Sequence, residues 1–198
     1  MLILASSSPR RKEILQMAGL DYICIPSDAE EIIPDGFPVD RISEYLSGLK
    51  AESVFRSHPE DTVIGADTVV IIDGTVLGKP KSKEDAFSML KKLSGRVHTV
   101  TTGVTIFSGH QRESFTSSTE VEFYKLTDQE IRSYIETGEP MDKAGAYGIQ
   151  GYGSVLVKKI TGDYFTVMGL PIGETVRSLA KVHASGQTAP EISFVFSR

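Results

Sequence analysis

The residue types best suited to chemistry fall in four short segments. The first, Ser6-Ser7-Ser8-Pro9-Arg10-Arg11-Lys12, follows the apolar run 2–5 and opens a helical pattern. A helix N-terminus offers unpaired N–H donors and a partial positive charge. Three hydroxyls add donors, and two guanidiniums can grip phosphate oxygens in pairs. Placed at a strand's carboxyl end, these features suit a polyphosphate. An ordinary capped helix with a solvated basic turn would read the same way.

The second segment, Val63-Ile64-Gly65-Ala66-Asp67-Thr68-Val69-Val70, sets one carboxylate in an apolar run. Buried unpaired, it would be costly, so Asp67 meets a cation, a metal or donors, or it faces solvent. In a cleft it could hold a divalent ion or take a proton from water; at a bulge it would only cap its own backbone. In the third, Gly78-Lys79-Pro80, the proline holds Lys79 extended. Lys79 is then either a preorganised charge for a phosphate or a solvated turn lysine. The fourth, Asp142-Lys143-Ala144-Gly145-Ala146-Tyr147-Gly148-Ile149-Gln150-Gly151, permits positive φ and close backbone approach. Tyr147 offers a ring, and the Gln150 amide can donate and accept, as reading a pyrimidine edge requires. A flexible loop is the alternative.

The elements that must position these groups alternate between strand and helix. Residues 2–5 read as a buried strand, with Ser8 as N-cap and Pro9 as first residue of a helix to about Ala18, closed by Gly19. Residues 22–25 form a second strand and 27–37 an acidic loop. Pro38 opens a helix with Val39, Ile42, Leu46, Leu49 and Ala51 near one stripe. Residues 62–72 form a β-branched strand, with a break expected at 65–67; Asp73-Gly74 is a hairpin turn and 75–77 resumes the sheet. A capping-box-like start at Ser82 opens a helix to Leu93. Two long strands, 97–107 and 114–124, flank Gly109, and a capped helix runs from Thr127 to Gly138. Residues 139–151 read as loop, 155–160 as strand, Gly162-Asp163 as a turn, and Pro171 as the start of a last helix. Residues 192–196 read as a late strand or ordered tail. The class is α/β with a mixed sheet.

Composition narrows the function. The chain has 198 residues, 40% hydrophobic and 24% charged, which are globular proportions for about one domain. The boundaries expected are 1–184 for a single two-lobed domain and 185–198 for a tail. A net charge of −5 argues against a basic nucleic-acid platform. A single cysteine, Cys24, excludes an internal disulfide framework and a Cys-rich zinc site. No apolar run reaches the roughly 18 residues of a membrane span. No leader is legible, so a soluble cytoplasmic protein is expected. The four histidines are scattered without metal spacing, and no Ser-His-Asp or Cys-His order is legible.

Taken in order, Ala5-Ser6-Ser7-Ser8-Pro9-Arg10-Arg11, Gly65-Ala66-Asp67-Thr68, Gly78-Lys79-Pro80 and the segment 142–151 resemble the Maf (septum formation) family of nucleoside triphosphate pyrophosphatases. Gly162-Asp163-Tyr164 and Val167-Met168-Gly169-Leu170-Pro171 add to the likeness, which runs from Leu2 to about Leu179. The resemblance implies a Maf/inosine-triphosphatase-like fold: an elongated mixed β-sheet flanked by helices, with a cleft between two lobes. It implies hydrolysis of a nucleoside triphosphate to the monophosphate and pyrophosphate with a divalent metal cofactor, Mg²⁺ or Mn²⁺. On this chain it places the proton acceptor at Asp67 and base-specificity residues at Arg10, Thr68 and Gln150, a trio resembling the dTTP/UTP branch. Further polar residues fall on Arg11, Lys50 and Lys79, and on Glu30, which with Asp67 would hold the metal. The partner expected is the triphosphate, with no stable nucleic acid, no membrane, and a homodimer implied by the family alone. The other reading kept open is a nucleotide- or nucleic-acid-binding regulator of septum formation.

Overall fold

The computed structural model describes residues 1–184. The chain divides into two compact units. Unit 1 takes Met1–Asp67, Thr102–Thr116 and the stretch from Gly169; unit 2 takes Thr68–Thr101 and Ser117–Met168. The strands are β1 (Leu2–Leu4), β2 (Ile23–Cys24), β3 (Thr62–Ile72), β4 (Thr75–Leu77), β5 (Val97–Ser108), β6 (Gln111–Phe123) and β7 (Val157–Thr161). The helices are α1 (Pro9–Met17), α2 (Ile42–Phe55), α3 (Lys83–Leu93), α4 (Asp128–Glu136), α5 (Tyr164–Met168) and α6 (Ile172–Ala184). The strands form a mixed sheet in the order β2-β1-β3-β5-β6-β7, with β4 paired to β3. β1 is parallel to both β2 and β3, while β4 on β3 and β7 on β6 are antiparallel. The α/β reading therefore holds, with a mixed sheet flanked by helices.

Unit 1 is built where α2 meets the sheet. Ile3, Ala5, Ala51, Val54 and Val63 form its buried cluster, joined by the stacked rings of Phe55 and Phe107. Two glycines let the helix approach. A Cβ on Gly65 would lie 2.3 Å from the Ser47 carbonyl oxygen, and one on Gly103 would lie 2.2 Å from the Glu44 backbone nitrogen. This explains why β3 runs unbroken through 65–67, where a break was expected. Gly65 is a landing place for a helix backbone, not an interruption of the strand. β1 pairs with β3 only as far as Leu4 opposite Ile64, so β3 continues past the end of its neighbour.

Unit 2 holds the larger buried cluster, in which α3 (Ala86, Leu90, Leu93) and α4 (Ile131, Tyr134, Ile135) cover Val100, Val121 and Phe123. Both helix starts follow from their caps. The Ser82 hydroxyl accepts from the Asp85 amide, and Thr127 with Glu130 forms a reciprocal capping box. The Asp73-Gly74 turn has positive φ at both residues, as a tight hairpin on right-twisted strands requires. α5 was not expected, β6 starts earlier than the pattern indicated because its turn is only Gly109-His110, and β7 is displaced to Val157 by a 3₁₀ turn over Gly151–Leu156. The expected element at 192–196 lies outside the described residues.

Tyr147 and His98 belong to this core. The ring of Tyr147 meets those of Phe123 and His98 edge-on, and its hydroxyl lies 2.8 Å from His98 Nε2. Burial pulls the His98 pKa down to about 4. In the unfolded chain an imidazole titrates near 6.5, so it takes up a proton there that the folded one refuses. The stability this gives is full above about pH 6.5 and is lost as pH falls toward 4. Between pH 7 and pH 5 the loss is expected to be about 2 kcal/mol, read by urea melts, and His98→Gln is expected to flatten that slope. His183, also shifted down by burial, adds in the same direction.

Candidate active site

β1 ends at Leu4, and the chain turns through Ser6-Ser7-Ser8 into α1 with Pro9 at its first position. Ser8 occupies the N-cap but its side chain does not cap. Instead the Ser6 hydroxyl accepts from the Ser8 amide at 3.2 Å and from Arg11 Nη1 at 3.3 Å. Arg11 Nε donates to the Gly169 carbonyl at 2.8 Å. The guanidinium in the first turn of α1 is thus held on two sides by the chain, one of them very distant in sequence.

Asp67 lies on β3 beyond the end of β1, two residues after Gly65 and so on the same face, toward α2. That face brings it to Lys50, on the same helix that Gly65 admits. Lys50 Nζ donates to Asp67 Oδ1 at 2.5 Å and lies 3.0 Å from Glu31 Oε1. The Lys50 and Asp67 side chains are 15% and 11% exposed, so the pair is largely out of water, whereas Glu31 is about half exposed. Burial raises the Asp67 pKa; Lys50 and Arg11 pull against it, and Glu31 adds to the rise. Burial likewise works against the charge of Arg11, which Asp67 supports and Arg10 opposes. A carboxylate more basic than usual, held beside an ammonium and a guanidinium, can take a proton from a water molecule while the cations steady neighbouring anionic oxygens.

Unit 1 therefore brings together Asp67, Lys50 and Arg11, with Arg10 near enough to act on Arg11's charge. Glu30 is exposed on the same loop, and the carboxylate that reaches Lys50 is its neighbour Glu31. An acidic pair is visible in the sequence, but nothing in an irregular loop tells which member turns inward. Thr68, half-buried, Lys79, exposed after β4, and Gln150, half-buried at the N-cap of the 3₁₀ turn, belong to unit 2. Among the described residues no group of three or more His, Cys, Asp or Glu gathers as for a metal.

A parallel strand that ends on a paired-arginine helix start, near a buried carboxylate, gives an α/β protein an arrangement suited to a phosphorylated ligand. Comparison with known proteins makes this specific. The model of Maf-like proteins matches residues 1–182. A dTTP/UTP pyrophosphatase of Bacillus pumilus is 53% identical over 178 residues, covering 90% of this chain and 94% of that protein. Proteins of the same name from a Geobacillus species and from Halalkalibacterium halodurans are 49% and 47% identical, over 91% and 92% of this chain and 97% and 95% of their own lengths. The chain belongs to the Maf family.

Proposed function

We propose that this protein hydrolyses dTTP and UTP to the nucleoside monophosphate and pyrophosphate. The observation that carries the reading is Asp67, a buried carboxylate made more basic by its surroundings and set against Lys50 and Arg11. Relatives about half identical over nine-tenths of the chain are named dTTP/UTP pyrophosphatases. The septum-regulator reading is not favoured by those names.

In the reaction, Asp67 takes a proton from a water molecule whose oxygen attacks the α-phosphorus. The bond to the β-phosphate oxygen breaks, and pyrophosphate leaves with its electron pair. Lys50 keeps the Asp67 carboxylate oriented. Arg10 and Arg11, with Lys79, neutralise phosphate oxygens. Thr68 and Gln150 read the base by hydrogen bonds, and Arg10 shares in specificity. A divalent cation would be held by Asp67 and Glu31, two hard carboxylates that both reach Lys50. When bound, such an ion would supply charge neutralisation on the phosphates. Among the described residues no helix is long and apolar enough to cross a membrane.

The test is pyrophosphate release from a panel of nucleoside triphosphates with Mg²⁺ or Mn²⁺. dTTP and UTP are expected to exceed the purine nucleotides in kcat/KM by about tenfold or more, the worth of one or two buried hydrogen bonds to a base. Release from none of them would overturn the activity.

A further inference from the structure

Glu139 follows α4, after Gly138 turns the chain at a left-handed φ of 76°, and its carboxylate points back at the glycine-rich segment 148–153. Its Oε1 accepts from the Tyr134 hydroxyl at 2.8 Å and from the Gly153 amide at 3.0 Å; its Oε2 accepts from the Tyr152 amide at 2.9 Å. The Tyr134 hydroxyl in turn accepts from the Gly148 amide at 3.1 Å. One carboxylate and one phenol therefore hold the backbone N–H groups on both sides of Gln150.

The glycines of the segment are shaped to this anchor. A Cβ on Gly151, which has a φ of 65°, would lie 2.5 Å from Glu139 Oε2. One on Gly153 would lie 2.2 Å from the Gly148 carbonyl oxygen and 2.7 Å from the Tyr134 hydroxyl. The anchor is itself firm: Tyr134 is buried in the core cluster, and Lys143 Nζ donates to the Glu139 carbonyl at 2.6 Å. The Gln150 side chain takes no part in this network and does not cap the turn it begins. Its backbone is thus fixed from both sides while its amide stays available.

We propose that Glu139 is a positioning residue for base selection, acting through Tyr134 and the amides of Gly148, Tyr152 and Gly153 to fix the segment that presents Gln150. The proposal rests on the reading that Gln150 recognises the base. A carboxylate is required because both oxygens must accept. A glutamine there would turn an NH₂ group toward a phenol or amide donor and leave at least one bond unmade.

The experiment measures kcat and KM for UTP and GTP in the wild type, Glu139→Gln, Tyr134→Phe, Gln150→Ala and the Glu139→Gln/Gln150→Ala double variant, with thermal melts alongside. Glu139→Gln is expected to raise KM for UTP and lower the UTP:GTP ratio of kcat/KM by about tenfold, with kcat nearly kept. Gln150→Ala is expected to lower the ratio as much, and the double variant no further, since both changes remove one function. Tyr134→Phe keeps the ring and gives the same direction, and it carries the test if Glu139→Gln does not fold. A wild-type ratio in Glu139→Gln and Tyr134→Phe beside a lowered one in Gln150→Ala overturns the positioning role and leaves the base reading standing. So does an equal fall for both nucleotides, or additive losses in the double variant. A wild-type ratio in Gln150→Ala overturns the base reading and this inference with it.

Discussion

Replacing Asp67 by asparagine is expected to lower kcat for pyrophosphate release by about 10³-fold, the contribution of a positioned general base, with the fold kept. Asparagine has the same shape and still accepts from Lys50, but it takes no proton from water. Stability is expected to hold or rise. The raised Asp67 pKa means that its surroundings, taken together, disfavour its charge, and a neutral amide is free of that cost. Lys50 keeps Glu31 as an acceptor in the variant, so no buried ammonium is stranded. In the wild type the same shift has a visible sign. With Asp67 as the general base, activity is expected to fall as pH drops and the carboxylate takes up a proton, and burial of Asp67 shifts that fall upward. Pyrophosphate assays across pH and thermal melts check both halves. Turnover near that of the wild type in Asp67→Asn would remove the general-base role.

Gly65→Ala is expected to destabilise the protein by about 3 kcal/mol or more, a large effect for one methyl group. The added Cβ would sit 2.3 Å from the Ser47 carbonyl oxygen and 2.6 Å from the Ala51 nitrogen, both main-chain atoms of α2. No side-chain rotation relieves such a contact, so the helix must lift. Lys50 lies on that helix between those two residues and moves with it, away from Asp67. The variant should therefore lose turnover even at temperatures where it is folded, as a fall in kcat beyond the unfolded fraction. Gly78→Ala is the control. A Cβ there meets nothing within 4 Å, and its stability should change by no more than about 0.5 kcal/mol. Equal melting temperatures for the two variants would show that the close approach of α2 to β3 is not under strain.

Much of this architecture is legible in the residues where a local signal decides the outcome. Ser82 and Thr127 start helices because a hydroxyl satisfies an amide a few residues away. Asp73-Gly74 turns because glycine and aspartate tolerate positive φ. The signal fails where the deciding partner is distant in sequence. Gly65 reads as a strand breaker until α2 is laid over it. Tyr147 reads as an available ring until His98 and Phe123 enclose it. The site divides in the same way. Asp67 stands out as a lone carboxylate among apolar neighbours, and Arg10 and Arg11 as a pair behind serines. Glu31 is hidden in a loop with no periodicity, and Gly169, whose carbonyl holds Arg11, contributes only main-chain atoms. Glu139 gives no signal at all, because its function is to accept from amides that any sequence possesses.

Lys50 rests between two carboxylates. An anion drawn to that ammonium exchanges with one of them, and Glu31, about half exposed, gives way more cheaply than the largely buried Asp67. Occupancy at Lys50 is therefore linked to release of the Glu31 side chain, and the loop that carries Glu31 is freed whenever an anion takes its place.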